Sequence, residues 1–182
     1  MPAGHLILDD LDEVDRIRDD DERYRSTVFP CEVRHFPHVW PSVRSDYAKF
    51  LGAAGESLVD SVLLRRGLPV WTAPDLHRAD RLIEAEGFAI GLQIKTVTMP
   101  VAGFCTFSMQ RGNARAGGVR PYGRDAFDIA ALVVLSHNAV KFVPNTGRSF
   151  RVSEAELPDL QEDPWASLEF SLSAALRART CP

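Results

Sequence analysis

The chain has few cysteines and no apolar run long enough to cross a bilayer. Cys31, Cys105 and Cys181 are odd in number and far apart, which argues against a disulfide framework and favours a reducing cytoplasm. The N-terminal sequence lacks the basic start and long apolar stretch of a signal peptide. With no internal repeat in 182 residues, the sequence indicates one domain with its own hydrophobic core.

Charge is unevenly distributed along the chain, although the net charge is only −4. Residues 9–25 hold nine acids and four arginines, whereas residues 88–151 hold eight Lys or Arg and two acids. This asymmetry favours a polyanionic partner for the basic part. The acidic segment is either a solvated helix or loose tail, or a cover that docks on this basic surface or on a basic partner.

Three segments follow from the composition. Residues 1–44 are predicted to be an acidic segment and an irregular arm, because Pro30, Pro37 and Pro41 interrupt the second part. Residues 45–152 are predicted to form the functional core. Residues 153–182 are predicted to be a helical tail, since Ser153 precedes EAEL and a Ser/Ala/Leu periodicity follows.

A helix is predicted from an N-cap at Ser45 to a stop at Gly67. Its apolar stripe consists of Leu51, Ala54, Leu58 and Val62. Glu56 shares another side of the helix with Val59 and Leu63. This glutamate therefore faces either protein or, as most helical glutamates do, water.

A β-hairpin is predicted around Glu86-Gly87. Side chains alternate between the faces of a strand, so Gln93 and Lys95 share one face of the second strand. A two-residue turn pairs Ala85 with Phe88, Ile83 with Ile90, and Asp80 with Gln93. The polar cluster is then Asp80, Gln93 and Lys95, and the apolar face behind it is Ile83, Ala85, Ile90 and Leu92. A three-residue turn would break this register. An edge hairpin whose outer face is solvated would also explain why these polar residues alternate with apolar ones.

Further strands are predicted at 68–73, 104–110, 126–136 and 140–144. The loop 111–124 carries four arginines and four glycines. These arginines are either the residues of a flexible surface loop or contacts to nucleic-acid phosphates. They are Arg111, Arg115, Arg120 and Arg124.

The sequence of Glu56, Asp80 and the Gln93-Ile94-Lys95 tripeptide resembles the active-site signature of the PD-(D/E)xK nuclease superfamily. FLGAAGE resembles the ALGxxGE-type start of Holliday junction resolvases, whereas QIKT, Tyr122 and Asp128 resemble the intron-endonuclease-like branch. The resemblance covers roughly residues 47–144. It implies an α/β, restriction-endonuclease-like core with a mixed central β-sheet flanked by helices in αβββ…β order. Gln93 replaces the usual acid, and no amphipathic helix is evident between Lys95 and the strand at 126–136.

The resemblance implies a metal-dependent endonuclease that hydrolyses DNA phosphodiester bonds, on branched or junction DNA. Mg²⁺, with Mn²⁺ as a substitute, would be held by Asp80, Gln93, the Ile94 carbonyl and Glu56. Lys95 would orient the attacking water and offset charge on the phosphate. A homodimer is expected because cutting two strands needs two sites and this chain offers one.

Three alternatives remain open from the sequence. The first is a sequence-specific homing or restriction-type endonuclease. The second is a catalytically inactive nuclease-fold module that binds DNA or protein, to which Gln93 points. The third is a binding protein whose acidic residues 9–25 mimic DNA or dock on a basic partner.

Overall fold

The computed structural model describes residues 36–37, 41–74, 77–111, 118 and 120–180, with only the backbone described at Arg111. The acidic segment 9–25 and Arg115 lie outside the described residues. The chain divides into two compact units, Met1–Tyr47 and Ala48–Pro182. The division into three segments proposed above stays a prediction.

The first unit contains the short helix α1 (Pro41–Asp46). The second unit begins with the helix α2 (Ala48–Arg65) and ends with the helices α3 (Leu157–Glu162) and α4 (Trp165–Thr180). Between them lie β1 (Val70–Thr72), β2 (Arg81–Ala85), β3 (Phe88–Val97), β4 (Phe104–Phe107), β5 (Gln110–Arg111), β6 (Arg120–Pro121), β7 (Ile129–Val134), β8 (Ala139–Pro144) and β9 (Phe150–Ser153).

The central sheet has five strands in the order β1-β2-β3-β7-β8. The β3–β7 pair is parallel and the other pairs are antiparallel, so the sheet is mixed. The predicted fold class, an α/β core with helices flanking a mixed sheet, is confirmed. Every residue of β7 is buried, which explains why its sequence is a near-continuous apolar run.

The two faces of the sheet carry separate halves of the core. On one face α2 and α4 contribute Val59, Leu63 and Leu168, which pack with Leu92 and Phe142 of the sheet. On the other face lie the β4–β9 pair and the start of α3, with the buried side chains Phe107, Met109, Leu132, Val152 and Leu157. Each such large apolar side chain contributes about 1.5–3 kcal/mol when fully buried.

The structure corrects two predicted boundaries. Ser45 is not the N-cap of the long helix: it lies inside α1, which begins at Pro41, a favoured first helical residue, and α2 begins at Ala48. The predicted strand 104–110 is two strands, β4 and β5, which belong to different two-stranded sheets. The described part of residues 98–124 contains short strands and no helix, as the sequence analysis expected. No described helix is long and apolar enough to span a membrane.

A glycine lets α2 lie directly on β3. A Cβ atom on Gly55 would overlap the side chain of Thr96, whose Cβ and Cγ2 atoms would stand 3.0 Å from it. Since Glu56 is the next residue of the helix, this close approach fixes where the glutamate emerges beside the sheet.

Gly55→Ala is expected to lower the free energy of unfolding by about 1–3 kcal/mol, because the added methyl group overpacks this contact. Thr96→Ala in the same chain should restore part of the loss. Gly52→Ala is the matched control: the position is also in α2, nothing lies within 4 Å of its built Cβ, and alanine favours a helix. Equal stability of the Gly55 and Gly52 variants in urea unfolding would contradict the close contact.

Candidate active site

The predicted hairpin register is confirmed. Ala85 pairs with Phe88 and Ile83 pairs with Ile90. Glu86 and Gly87 have φ values of 51° and 79°, the left-handed conformations that a two-residue type I′ turn requires. Because both strands are counted from the same two-residue turn, paired residues lie on the same face of the sheet. The apolar residues of the hairpin therefore face the helices, and the polar residues lie on the other face.

Asp80 lies just before β2, and its carboxylate meets β3 at the predicted place. Oδ2 of Asp80 accepts a hydrogen bond from Nε2 of Gln93 and another from the backbone N–H of Ile94 at 2.6 Å. The Gln93 side chain is buried, and its Nε2 also lies 3.4 Å from the Ile94 carbonyl oxygen. A carboxylate, a peptide carbonyl and an amide therefore converge at one point of the sheet.

The electrostatics of Asp80 reflect its position. Burial raises the pKa of its carboxyl group, and repulsion from Glu56 raises it further. The N–H of Ile94 and the positive charges of Lys95 and Arg81 oppose this shift of the pKa. A positive ion beside the carboxylate would favour its charged form in the same way.

Lys95 extends from the same face of β3 towards the β5–β6 hairpin. Its Nζ donates to the carbonyl oxygen of Gln110 at 3.3 Å and stands 5.1 Å from the ring centre of Tyr122. Burial lowers the pKa of Lys95, and attraction to Asp80 partly offsets this. The ammonium group is thus held by the Gln110 carbonyl oxygen and the face of the Tyr122 ring.

Glu56 reaches the site from α2 through an arginine that the sequence analysis missed. Nη2 of Arg81 lies 3.1 Å from Oε2 of Glu56, and the guanidinium also binds Asp60 through two bonds of 2.8 and 3.0 Å. Nη1 of Arg81 donates to the Asp80 carbonyl oxygen at 3.1 Å. One signal was present in the sequence: Asp60 follows Glu56 by four residues, so both acids lie on one side of the helix.

The donor atoms, rather than a cluster of acids, define what the site can bind. Among the described residues, no group of three His, Cys, Asp or Glu side chains is placed to hold a metal ion. The candidate ligands are instead the Asp80 carboxylate, the Ile94 carbonyl and the Gln93 amide, with Glu56 nearby. The carboxylate and carbonyl oxygens are donors of the kind that Mg²⁺ prefers, whereas Gln93 directs its Nε2 towards both of them.

The predicted arginines are only partly described. Arg120 and Arg124 are exposed, and Arg111 pairs with Arg120 across the β5–β6 hairpin.

Asp128 accepts a hydrogen bond from the N–H of Gly91 at 2.7 Å and forms an ion pair with Arg179 at 2.9 Å. It thereby fixes the beginning of β7 to β3 and to the last turn of α4.

Comparison with known proteins shows the fold. No protein-family model and no curated protein matches the chain. Among solved structures, the chain is similar to the bacterial homing endonuclease I-Ssp6803I, with 21% sequence identity and a TM-score of 0.50. The match covers 58% of this chain and 78% of the other. The two proteins therefore share an endonuclease-like α/β fold.

Proposed function

We propose that the chain is a metal-dependent endonuclease of the PD-(D/E)xK superfamily that hydrolyses DNA phosphodiester bonds. One observation carries the proposal: the Asp80 carboxylate, the Ile94 carbonyl and the Gln93 amide converge beside the Lys95 ammonium group. The fold shared with an endonuclease supports it. A homodimer is part of the proposal, because each chain offers one such site.

The donor set fits Mg²⁺ on one condition. Nε2 of Gln93 now donates towards the two oxygens, of Asp80 and Ile94, that a cation would share. A half-turn of the amide would replace this nitrogen by Oε1 and give three oxygens directed at one point. Mg²⁺ bound there would stabilise the negative charge that develops on the phosphate during hydrolysis.

The remaining residues have distinct roles in this proposal. Lys95 orients the attacking water and offsets charge on the phosphate. Glu56 holds a water molecule or contributes a further oxygen. Arg81 keeps Glu56 in place through its 3.1 Å ion pair, while its bonds to Asp60 anchor the guanidinium. It therefore acts as a positioning residue.

Branched or junction DNA is the proposed substrate. A sequence-specific homing-type endonuclease is the second candidate, since the structural neighbour is a homing endonuclease. A cleavage assay separates them: linear duplex, four-way junction and single-stranded DNA are incubated with the protein in Mg²⁺, in Mn²⁺ and in EDTA. We expect metal-dependent cuts, with the junction preferred. Preference for one site in a library of linear duplexes would favour the homing-type activity, and cleavage that persists in EDTA would exclude a metal-dependent site.

Gln93→Glu is expected to tighten Mg²⁺ and Mn²⁺ binding measured by calorimetry, because it adds a second carboxylate at the convergence point. In EDTA the same variant should melt at a lower temperature than the wild type, since two buried carboxylates would repel each other. Metal should reverse this loss. Gln161→Glu, the same chemical change at an exposed position of α3, is the control and should alter neither quantity. Unchanged metal affinity in Gln93→Glu would show that residue 93 is not a ligand.

A further inference from the structure

A cavity of about 530 Å³ lies at the turn between β8 and β9 and is lined by Arg124, Asn145, Thr146, Arg148 and Ser149. We propose that this basic cavity binds a phosphate of the nucleic-acid substrate next to the one that is cut. The inference rests on the proposed function for its choice of ligand. It adds residues of the 145–149 turn, which the sequence analysis did not single out.

The charge of the basic cavity fits an anion. Arg124 and Arg148 are exposed, and neither forms an ion pair within the described part of the chain. No carboxylate of the described residues lines the cavity, and Thr146 and Ser149 add hydroxyl donors. A guanidinium binds phosphate through two parallel hydrogen bonds, and hydroxyl groups are common phosphate donors.

A neighbouring cavity of about 390 Å³ provides the contrast. It shares Arg124 and Asn145 with the basic cavity, but it is also lined by Asp125 and Asp128. There the Asp128 carboxylate already pairs with Arg179 at 2.9 Å. The described acids thus line this neighbouring cavity, whereas the charged residues that line the basic cavity are Arg124 and Arg148.

The side chain of Asn145 holds the basic cavity in shape. Its Nδ2 donates to the carbonyl oxygens of Gly123, Arg124 and Phe127 at 3.0, 3.1 and 3.0 Å. Its Oδ1 accepts from the N–H of Gly147 at 2.9 Å. One amide thus ties the segment that carries Arg124 to the turn that carries Arg148.

Close packing of the 145–149 turn also holds the basic cavity in shape. Gly147 has a φ of 71°, and a Cβ atom there would lie 3.4 Å from the Tyr122 carbonyl oxygen and 3.5 Å from Cγ of Arg124. The turn that carries Arg148 therefore packs directly against the segment that carries Arg124.

The basic cavity is also connected to the candidate active site. The centre of the Tyr122 ring lies 5.1 Å from Nζ of Lys95. The backbone N–H of Tyr122 donates to the carbonyl oxygen of Met109 at 3.1 Å. Arg124 follows Tyr122 by two residues, so their Cα atoms are at most about 7 Å apart. A strand whose phosphate lies at Lys95 can thus present a nearby phosphate to Arg124 and Arg148.

The test uses the full chain in EDTA, so that binding is measured without cleavage. Fluorescence anisotropy gives the affinity for labelled duplex DNA at several KCl concentrations. Arg124→Gln and Arg148→Gln should each weaken binding several-fold and lower the slope of log K against log salt by about 0.9, as expected for one lost phosphate contact on duplex DNA. Arg65→Gln removes an exposed arginine of α2 outside this cavity and should leave the slope unchanged.

The outcomes separate this inference from the proposed function. Equal effects of all three substitutions would mean that only overall charge matters, and would overturn the inference even in a protein that cleaves DNA. Binding of inorganic phosphate that depends on Arg148, with DNA affinity unchanged in both cavity variants, would also overturn it. Weaker DNA binding in those two variants alone would support it, even in a protein that never cuts.

Discussion

Asp80→Asn is expected to slow DNA cleavage by about 10²–10³-fold while DNA affinity stays within about threefold of the wild type. The asparagine keeps the shape of the side chain and can still accept the hydrogen bond from the N–H of Ile94. It removes the carboxylate that meets the Gln93 amide and the Ile94 N–H among the described residues. Single-turnover cleavage with saturating Mg²⁺ measures the chemical step, and anisotropy in EDTA measures binding.

Asp125→Asn is the matched control for this substitution. Asp125 is exposed, lines the cavity beside Arg124 and has no place in the polar cluster. It should cleave at the wild-type rate. If Asp80→Asn cuts as fast as Asp125→Asn, the hydrolytic site lies elsewhere on the chain.

Lys95→Ala is the second substitution with a large expected effect, again about 10²–10³-fold in the rate of cleavage. The ammonium group is held in place by the Gln110 carbonyl and the face of Tyr122, so its loss removes a preorganised positive charge from the site. The protein should remain folded, because Lys95 is only partly buried and alanine is tolerated at a partly buried strand position. Single-turnover rates and a melting curve together distinguish lost chemistry from lost structure.

Lys141→Ala is the corresponding control. Lys141 lies on β8, and both Lys95 and Lys141 pair with Leu132 of β7 from its two sides. Its ammonium group binds Glu156 of the turn before α3. This variant should therefore lose some stability and keep its cleavage rate. A similar loss of rate in both lysine variants would point to a structural cause and would contradict the role given to Lys95.

The hairpin could be predicted from the sequence because its information is local. Glu86-Gly87 fixes the turn, and the alternation of side chains assigns each residue to a face. Asp80 and Gln93 are equally far from the turn along their strands, so they lie opposite each other. The same local pattern indicated that β7 is a fully buried strand. These features depend on residues within a few positions of one another.

The contacts that sequence reasoning missed are made between distant segments. Arg81 binds Glu56 and Asp60 of α2, a helix that Gly55 lets approach β3 closely. The basic cavity depends on three hydrogen bonds from Asn145 to a loop about twenty residues earlier. The split of residues 104–110 also depends on other segments, since β4 pairs with β9 whereas β5 pairs with β6.

The most direct test of the central claim is to locate a bound metal ion. Crystals of the wild-type protein with a DNA duplex are soaked in Mn²⁺, and anomalous scattering identifies the ion. We predict a peak within coordination distance of the Asp80 carboxylate and the Ile94 carbonyl, with Oε1 of Gln93 turned towards it. Mn²⁺ bound only at other carboxylates, with Nε2 of Gln93 still donating to Asp80, would contradict the account.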